Sequence, residues 1–295
     1  MTKTTILYHA NCFDGTFSAA VAKEHFGDSA TYVPVSYDKP LTDFSNQRLF
    51  FLDVVYKEKD MQLLLDKGNE IHVIDHHRDN VKPIAHLPLA SLRYDANESG
   101  ASLTFKHLNP GKELPLAIAH ARDYDLWRFE LTGTRHFVAN QATLPLEVDS
   151  YRELLRLEGR DYEQFVEAGK GILAYKNKLV EEISASAINI KLKGIEGWMV
   201  NGPAELRSEI GNYLSIKHKA AFALIWSERS DGKIKVSLRS SEGDAPLQIA
   251  KALGGGGHDR AASAVMEKSK FNRLASSAKK SVQARSLSDS CCDHH

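Results

Sequence analysis

The residues with the most chemical potential stand at the ends of apolar runs. Val73-Ile74 leads directly into Asp75-His76-His77, a carboxylate followed by two imidazoles. Ile6-Leu7-Tyr8 leads into His9, with Cys12 and Asp14 just beyond, and Leu49-Phe50-Phe51-Leu52 leads into Asp53. A fourth segment, Leu116 to Ala121, precedes Asp123-Tyr124-Asp125. An acid in or beside a buried run must be paired, hydrogen-bonded or bound to a cation, because burying it alone costs several kcal/mol. A single such acid is most often a satisfied core carboxylate; four segments of the same kind point to a shared cation site. Aspartate oxygen mixed with imidazole nitrogen, without clustered thiols, suits Mn²⁺ or a similar six-coordinate ion, with Mg²⁺ or Co²⁺ as alternatives. The ligands are too many for one ion and suit two. Two divalent cations about 3.5–4 Å apart bind a phosphoryl group, stabilise the attacking and leaving oxygens and acidify a bound water, so no Ser or Cys nucleophile is required. No Gly-x-Ser-x-Gly elbow is present.

A second signal lies far downstream, where Ile249 to Leu253 runs into Gly254-Gly255-Gly256-Gly257-His258 and then the small residues Ala261-Ala262-Ser263. Glycines let backbone N–H groups approach a phosphate, and a helix beginning in the small-residue segment would add its N-terminal dipole. The pattern is not a Walker A loop, since Gly-Lys-Ser/Thr is missing. Nor does it have the Ser-mixed composition of a flexible linker. Close by in sequence, Val236 to Ser241 reads as a strand that ends in Arg239-Ser240, and an arginine there can hold a phosphate with two bonds.

These groups need a frame. Thr4 to Ala10, Thr31 to Ser36, Leu49 to Val55 and Glu70 to Asp75 read as strands, with helices over Thr16 to Phe26 and Lys57 to Lys67 between them. Apolar strands that do not alternate are buried on both faces, which predicts a mainly parallel, doubly wound sheet of the α/β class. In such a sheet ligands bind beyond the carboxyl ends of the strands, where His9, Asp53 and Asp75 to His77 fall. Further helices are expected over Gly100 to His107 and Leu116 to Ala121, and one long helix or two over Tyr151 to Ala187. Beyond Asn189, Trp198 to Val200, Ala221 to Trp226 and Lys233 to Leu238 read as strands, with hairpin chemistry at Ser230 to Lys233 and helices over Leu206 to Lys217 and Pro246 to Leu253. The expected organisation is therefore a catalytic domain over residues 1–150, a helical linker over 151–188, a smaller α/β domain over 189–285 and a disordered tail over 286–295.

Composition narrows the partners. The 295 residues carry 38 Lys+Arg against 38 Asp+Glu, so long-range attraction to a nucleic-acid polyanion is weak and a nucleic-acid substrate would be short and gripped locally. Three cysteines, Cys12, Cys291 and Cys292, make no disulfide framework and suit a reducing compartment. No run approaches the roughly 18 apolar residues of a membrane span, and the apolar start is too short for a signal peptide, so a cytoplasmic protein is expected. The closing Cys291-Cys292-Asp293-His294-His295 repeats the triplet with no apolar strand before it and reads as a solvated tail that can bind stray metal.

Taken in order, the motifs resemble the DHH phosphoesterase superfamily, which includes RecJ-type exonucleases, nano-RNases, cyclic-dinucleotide phosphodiesterases and family II pyrophosphatases. Asp75-His76-His77 matches the triplet that names it, His9 to Ala19 the first motif, Asp53 the second and Asp123 or Asp125 the fourth. Ser99-Gly100-Ala101 resembles the helix start that follows, and Ser237-Leu238-Arg239-Ser240 with Gly255 to Ala262 resembles the DHH-associated substrate domain. The resemblance implies that His9, Asp14, Asp53, His76 and either Asp123 or Asp125 are metal ligands, with Asp53 bridging two ions. It implies that Asp75 ligates or orients His76 and that His77 faces the substrate, so Asp75, His76 and His77 form the catalytic triplet. Arg239, Ser240, Gly255, Gly256, Gly257 and His258 would hold the substrate, in a cleft between the two domains. The implied activity is Mn²⁺-dependent hydrolysis of short oligonucleotides or of linear or cyclic dinucleotides to mononucleotides. The alternatives are a mononucleotide phosphatase, a pyrophosphatase or a nucleotide-binding module without turnover; a homodimer is compatible with all of them. Many relatives carry an acid where this chain has Cys12.

Overall fold

The computed structural model describes residues 2–36 and 43–277 and divides into two compact units, Met1–Leu173 and Ala174–His295. The expected tail over 286–295, with its Asp293-His294-His295, lies outside the described residues.

The first unit is built on five strands, β1 (Thr4–His9), β2 (Ala30–Val35), β3 (Arg48–Leu52), β4 (Glu70–Asp75) and β5 (Ser91–Tyr94). They lie in the order β2-β1-β3-β4-β5, and each adjacent pair is parallel. The order reverses beside β1, which makes its junction with β3 the topological switch point of the sheet. Ile6, Leu7, Leu49, Phe51, Ile71, Val73 and Ile74 are all fully buried, so the non-alternating apolar runs do mark strands covered on both faces. Helices α1 (Phe13–Phe26), α2 (Glu58–Asp66) and the short α3 (Arg78–Val81) follow β1, β3 and β4, and α4 (Gly100–Leu108) follows β5. Helix α1 starts three residues earlier than its sequence pattern suggests, so Asp14 sits in its first turn. Every residue from Asp14 to Ala22 in it is buried, and the run of small side chains Ser18, Ala19, Ala20 and Ala22 lets it sit deep in the unit.

Helices α5 (Leu116–Asp125), α6 (Thr134–Gln141) and α7 (Val148–Leu154) close a second core against α1 through Phe17, Ile118, Phe137 and Tyr151. Helix α8 (Gly159–Ser184) then crosses the division between the units, so the expected helical stretch is two helices broken after Leu154.

The second unit holds a six-stranded mixed sheet in the order β10-β11-β9-β8-β7-β6. Its strands are β6 (Ile188–Leu192), β7 (Ile195–Asn201), β8 (Ala223–Glu228), β9 (Ile234–Arg239), β10 (Gly256–His258) and β11 (Ala261–Met266), with only β7 and β8 parallel. Helices α9 (Arg207–Lys217) and α10 (Ala245–Leu253) and a helical stretch over 268–277 complete the described part. The small residues after the glycines form a strand and not the expected helix. Ala262, Ala264 and Met266 are buried while the residues between them are not, a period of two that a strand satisfies. No helix among the described residues is long and apolar enough to cross a membrane.

Phe51, fully buried at the centre of the first sheet, tests the assignment of the core. Phe51→Ala should lower unfolding free energy by about 3–5 kcal/mol in urea denaturation. A change below about 1 kcal/mol would mean the ring is not packed as described.

Candidate metal centre

The three central strands each end in a polar residue on the same edge of the sheet: His9 closes β1, Asp53 follows β3, and Asp75 closes β4 with His76 and His77 behind it. Asp53 holds the left-handed backbone conformation at φ 59°, and its N–H donates to Ile74 O at 2.9 Å. An aspartate tolerates that conformation better than most residues. The turn stops the strand and leaves the Asp53 carboxylate almost wholly buried, at 1% exposure. Asp14 joins from the first turn of α1, where a helix N-terminus favours an anion. Asp125 joins from the last residue of α5.

The approach is close. His9 Nδ1 stands 3.2 Å from Asp53 Oδ2, His76 Nε2 stands 3.4 Å from Asp53 Oδ1, and the same nitrogen stands 3.5 Å from Asp125 Oδ2. His77 donates to Asp75 Oδ1 twice, from its backbone N–H at 2.9 Å and from Nδ1 at 2.7 Å. Asp14 accepts from the Ala101 N–H at 3.2 and 3.3 Å, at the N-terminus of α4. That helix end is fixed by a capping box in which Ser99 and Ser102 each accept the other's backbone N–H. Two glycines make the approach possible. A Cβ on Gly100 would stand 2.5 Å from Asp53 Cβ and 2.9 Å from Asp14 Oδ2, and one on Gly15 would stand 2.3 Å from His9 O.

Three overlapping sets of ligand-type atoms result, the atoms of each set lying within 4.8 Å of one another: Asp53 with Asp75, His76 and His77; His9 with Cys12 and Asp53; and Asp14 with His76 and Asp125. Asp53 belongs to two of the sets and His76 to two. Asp53 Oδ1 and Asp75 Oδ2 are buried and take no hydrogen bond. Buried carboxylate oxygens left in that state are costly unless something positive meets them. The donor chemistry, oxygen and nitrogen with one sulfur, suits divalent cations.

Titration reflects the same crowding. Burial pushes the Asp14 carboxyl well above its usual range, and Asp53 and Asp125 add to the push. Burial also raises Asp125, with His76 opposing. Asp53 goes the other way: burial would raise it, but contacts from His76 and His9 outweigh that and hold it low. Burial would lower His76, yet Asp53, Asp125 and Asp14 together raise it to about 10. The Cys12 thiol is pushed up by burial and then by Asp53, Asp14 and Asp125.

Asp123 is not in the cluster. Its Oδ1 accepts from Glu130 N at 2.9 Å, and its Oδ2 accepts from Leu131 N at 3.1 Å and Thr134 Oγ1 at 2.5 Å. Both acids lie on α5, and helix positions two apart point to different sides, so only one can reach the centre. Asp123 instead ties down the loop that leads to α6. Cys12 is the additional member that the ligand assignment by resemblance did not include.

Arg239, Ser240, Gly255, Gly256, Gly257 and His258 lie in the second unit. Arg239 Nη1 donates to Leu238 O at 2.9 Å, and Nη2 lies 3.3 Å from Ser208 Oγ, which fixes the guanidinium beside β9. Ser240 Oγ is buried without a hydrogen bond. A cleft of about 160 Å³ is lined by Arg207, Lys235, Ser237, Arg239, Gly256 and Gly257, among others. That is below the roughly 300–1,000 Å³ of a whole-ligand site, so it is sized for one group of a larger molecule. Arg207 and Lys235 were not legible in advance; nothing in their local sequence marks them. Gly255 has a steric reason of its own, since a Cβ there would stand 2.0 Å from Ser263 O, while Gly256 faces open space.

Comparison with known proteins bears on both units. Residues 201–284 match the family model of the DHHA1 domain. An uncharacterized protein of Acanthamoeba polyphaga mimivirus is 25% identical over 279 residues, 87% of this chain and 66% of that protein. Among solved structures, the DHH domain of a member of the s1p family of ribosomal proteins superposes with a TM-score of 0.60 at 14% identity, over 95% of this chain and 86% of that one. RecJ from Thermus thermophilus in complex with Mn²⁺ gives 0.55 at 13% identity, over 93% of this chain and 51% of RecJ. The chain thus spans about two thirds of the viral relative and half of that RecJ.

The pH dependence of cation binding follows from His76. Raised to about 10, it holds a proton at neutral pH when no cation is present, whereas only a neutral imidazole ligates. A cation must expel that proton, so affinity should tighten as pH rises through the neutral range and weaken as it falls. Calorimetric titration in two buffers of different ionisation heat counts the protons released; none released, with affinity independent of pH, would refute the ligand role of His76.

Residues 201–284 thus match a DHHA1 domain, and the chain shares the fold of DHH-domain proteins along nearly its whole length.

Proposed function

We propose that this protein is a metal-dependent phosphodiesterase that hydrolyses short oligonucleotides or linear or cyclic dinucleotides to mononucleotides. The observation that carries the reading is the meeting of seven ligand-type side chains, His9, Asp14, Asp53, Asp75, His76, His77 and Asp125, from four separate segments, with two buried carboxylate oxygens left unbonded at the centre. Divalent cations at such a centre polarise a phosphoryl oxygen and supply a water deprotonated near neutral pH. Mn²⁺ is the proposed ion, and a RecJ exonuclease whose structure was solved bound to manganese shares the fold, with a TM-score of 0.50 at 13% identity.

The chain's own residues have distinct parts to play. Asp53, a member of two ligand sets, would contribute to holding the cations in both. Asp75 fixes the ring of His77 through Nδ1, so proton movement at that ring runs through Nε2. Asp14, tied to the start of α4, and Asp125, at the end of α5, supply the remaining charge. In the second unit Arg239, with Arg207 and Lys235 beside it, grips a phosphate of the substrate through fixed donors. A balanced overall charge and a cleft sized for one group favour a short substrate over a long strand.

The test is hydrolysis of a 5′-phosphorylated RNA dinucleotide with Mn²⁺ and with chelator, beside cyclic dinucleotides, pyrophosphate and a long single strand. Mn²⁺-dependent release of mononucleotides is expected, abolished in Asp53→Ala and His76→Ala with the circular dichroism unchanged. Arg239→Ala should raise KM more than it lowers kcat. Turnover of pyrophosphate alone would overturn the substrate class, and near-normal rates in Asp53→Ala would overturn the centre.

A further inference from the structure

Cys12 occupies an unusual place for a cysteine. A buried free cysteine ordinarily behaves as a small hydrophobe among apolar neighbours. Here the sulfur shares a 4.8 Å cluster with a ring nitrogen of His9 and a carboxylate oxygen of Asp53. Its position is held from the backbone: Cys12 O accepts from Thr16 N at 3.0 Å and from Thr16 Oγ1 at 2.8 Å. Cys12 is the residue that caps α1, and the Gly15 N–H in the first turn faces its sulfur and favours the thiolate. A second observation points to what the cluster takes. The Asp53 carboxylate, on a residue only 1% exposed, turns Oδ2 toward His9, and its Oδ1 has no hydrogen bond, so the group is not satisfied within the protein.

The spacing fits a single ion. With bonds of about 2.0–2.2 Å to nitrogen and oxygen, two donors on one tetrahedral ion stand about 3.4 Å apart. His9 Nδ1 and Asp53 Oδ2 stand 3.2 Å apart. Nitrogen, sulfur and oxygen are all donor types that zinc takes, and three protein ligands is the number that catalytic zinc sites use. Soft thiolate ligands favour zinc and its neighbours, whereas all-oxygen sets suit Mg²⁺ and Ca²⁺.

We propose that Cys12 is a thiolate ligand of the cation site it forms with His9 and Asp53, and that it makes this site selective for Zn²⁺, Co²⁺ and Cd²⁺ over Mg²⁺ and Ca²⁺. The inference rests on the reading above that the cluster holds cations, and it adds which cations one half of the centre prefers. On binding, the S–H bond breaks, the proton passes to solvent and the sulfur lone pair goes to the cation. No oxidant or reductant is involved.

The test uses the full chain carrying Cys291→Ser and Cys292→Ser, so that Cys12 is its only thiol, stripped of metal and titrated with Co²⁺ and with Mg²⁺. Co²⁺ should produce a near-ultraviolet sulfur-to-cobalt charge-transfer band that Zn²⁺ removes by competition and excess Mg²⁺ does not. Adding Cys12→Ser should abolish the band. Cys12→Asp should bind Co²⁺ without the band and lower the preference for Zn²⁺ over Mg²⁺ by more than the roughly 10–100-fold typical of losing a mere supporting contact. Co²⁺ binding seen by calorimetry without a charge-transfer band, or an unchanged band in Cys12→Ser, overturns the thiolate ligand and leaves the cation centre standing. Failure of Co²⁺, Mn²⁺ and Zn²⁺ alike to bind overturns both.

Discussion

Mutual repulsion among buried carboxylates is the constraint around which the first unit is arranged. Asp14, Asp53 and Asp75 are all buried, and Asp125 stands beside them, partly exposed. Desolvation and like charge both disfavour ionising such a group, and the raised titration of Asp14 and Asp125 records that strain. Histidine offsets it in part: His9 and His76 lie against Asp53, and His77 against Asp75. The offset is incomplete, as two carboxylate oxygens without hydrogen bonds show. A sheet that brings β1, β3 and β4 side by side in parallel gathers their carboxyl ends into one place, and the switch of strand order keeps the helices from covering it.

Much of this could be read from the sequence because parallel strands announce themselves. Runs such as Leu49 to Leu52 and Ile71 to Ile74 are apolar with little alternation, and the polar residue after each run can only be at the strand's end. Asp123 and Asp125 could not be separated in the same way, because both follow one apolar helix. Which of them meets the cluster depends on which side of the helix faces the sheet, and Asp123 is taken up instead by hydrogen bonds from Glu130, Leu131 and Thr134. The glycine segment misled for a related reason. Alanines and a serine after glycines have high or neutral helix preference, yet pairing with β9 and packing on α10 make them a strand. Strands β5 and β6 are short and lie at the edges of their sheets, where burial is incomplete and the pattern correspondingly weak.

The two units use different physics for charge. The first concentrates acids away from water, in an arrangement that cations would complete. In the second, backbone and hydroxyl oxygens hold Arg239, and Lys235 and Arg207 line the same cleft. A guanidinium fixed in this way keeps its orientation and meets an incoming anion with little entropy left to lose.

Gly100 and Gly15 carry an evolutionary consequence. Each is barred from a larger residue first by atoms that almost any neighbour would carry: the Cβ of residue 53 at Gly100 and the backbone carbonyl of residue 9 at Gly15. The bar therefore belongs to the backbone path of the centre and not to its acids. In a descendant that lost the carboxylates or the imidazole, both glycines would remain under the same steric selection. Their presence in a relative reports that the strand ends and helix starts still meet as they do here, and the ligand side chains alone report whether the chemistry persists.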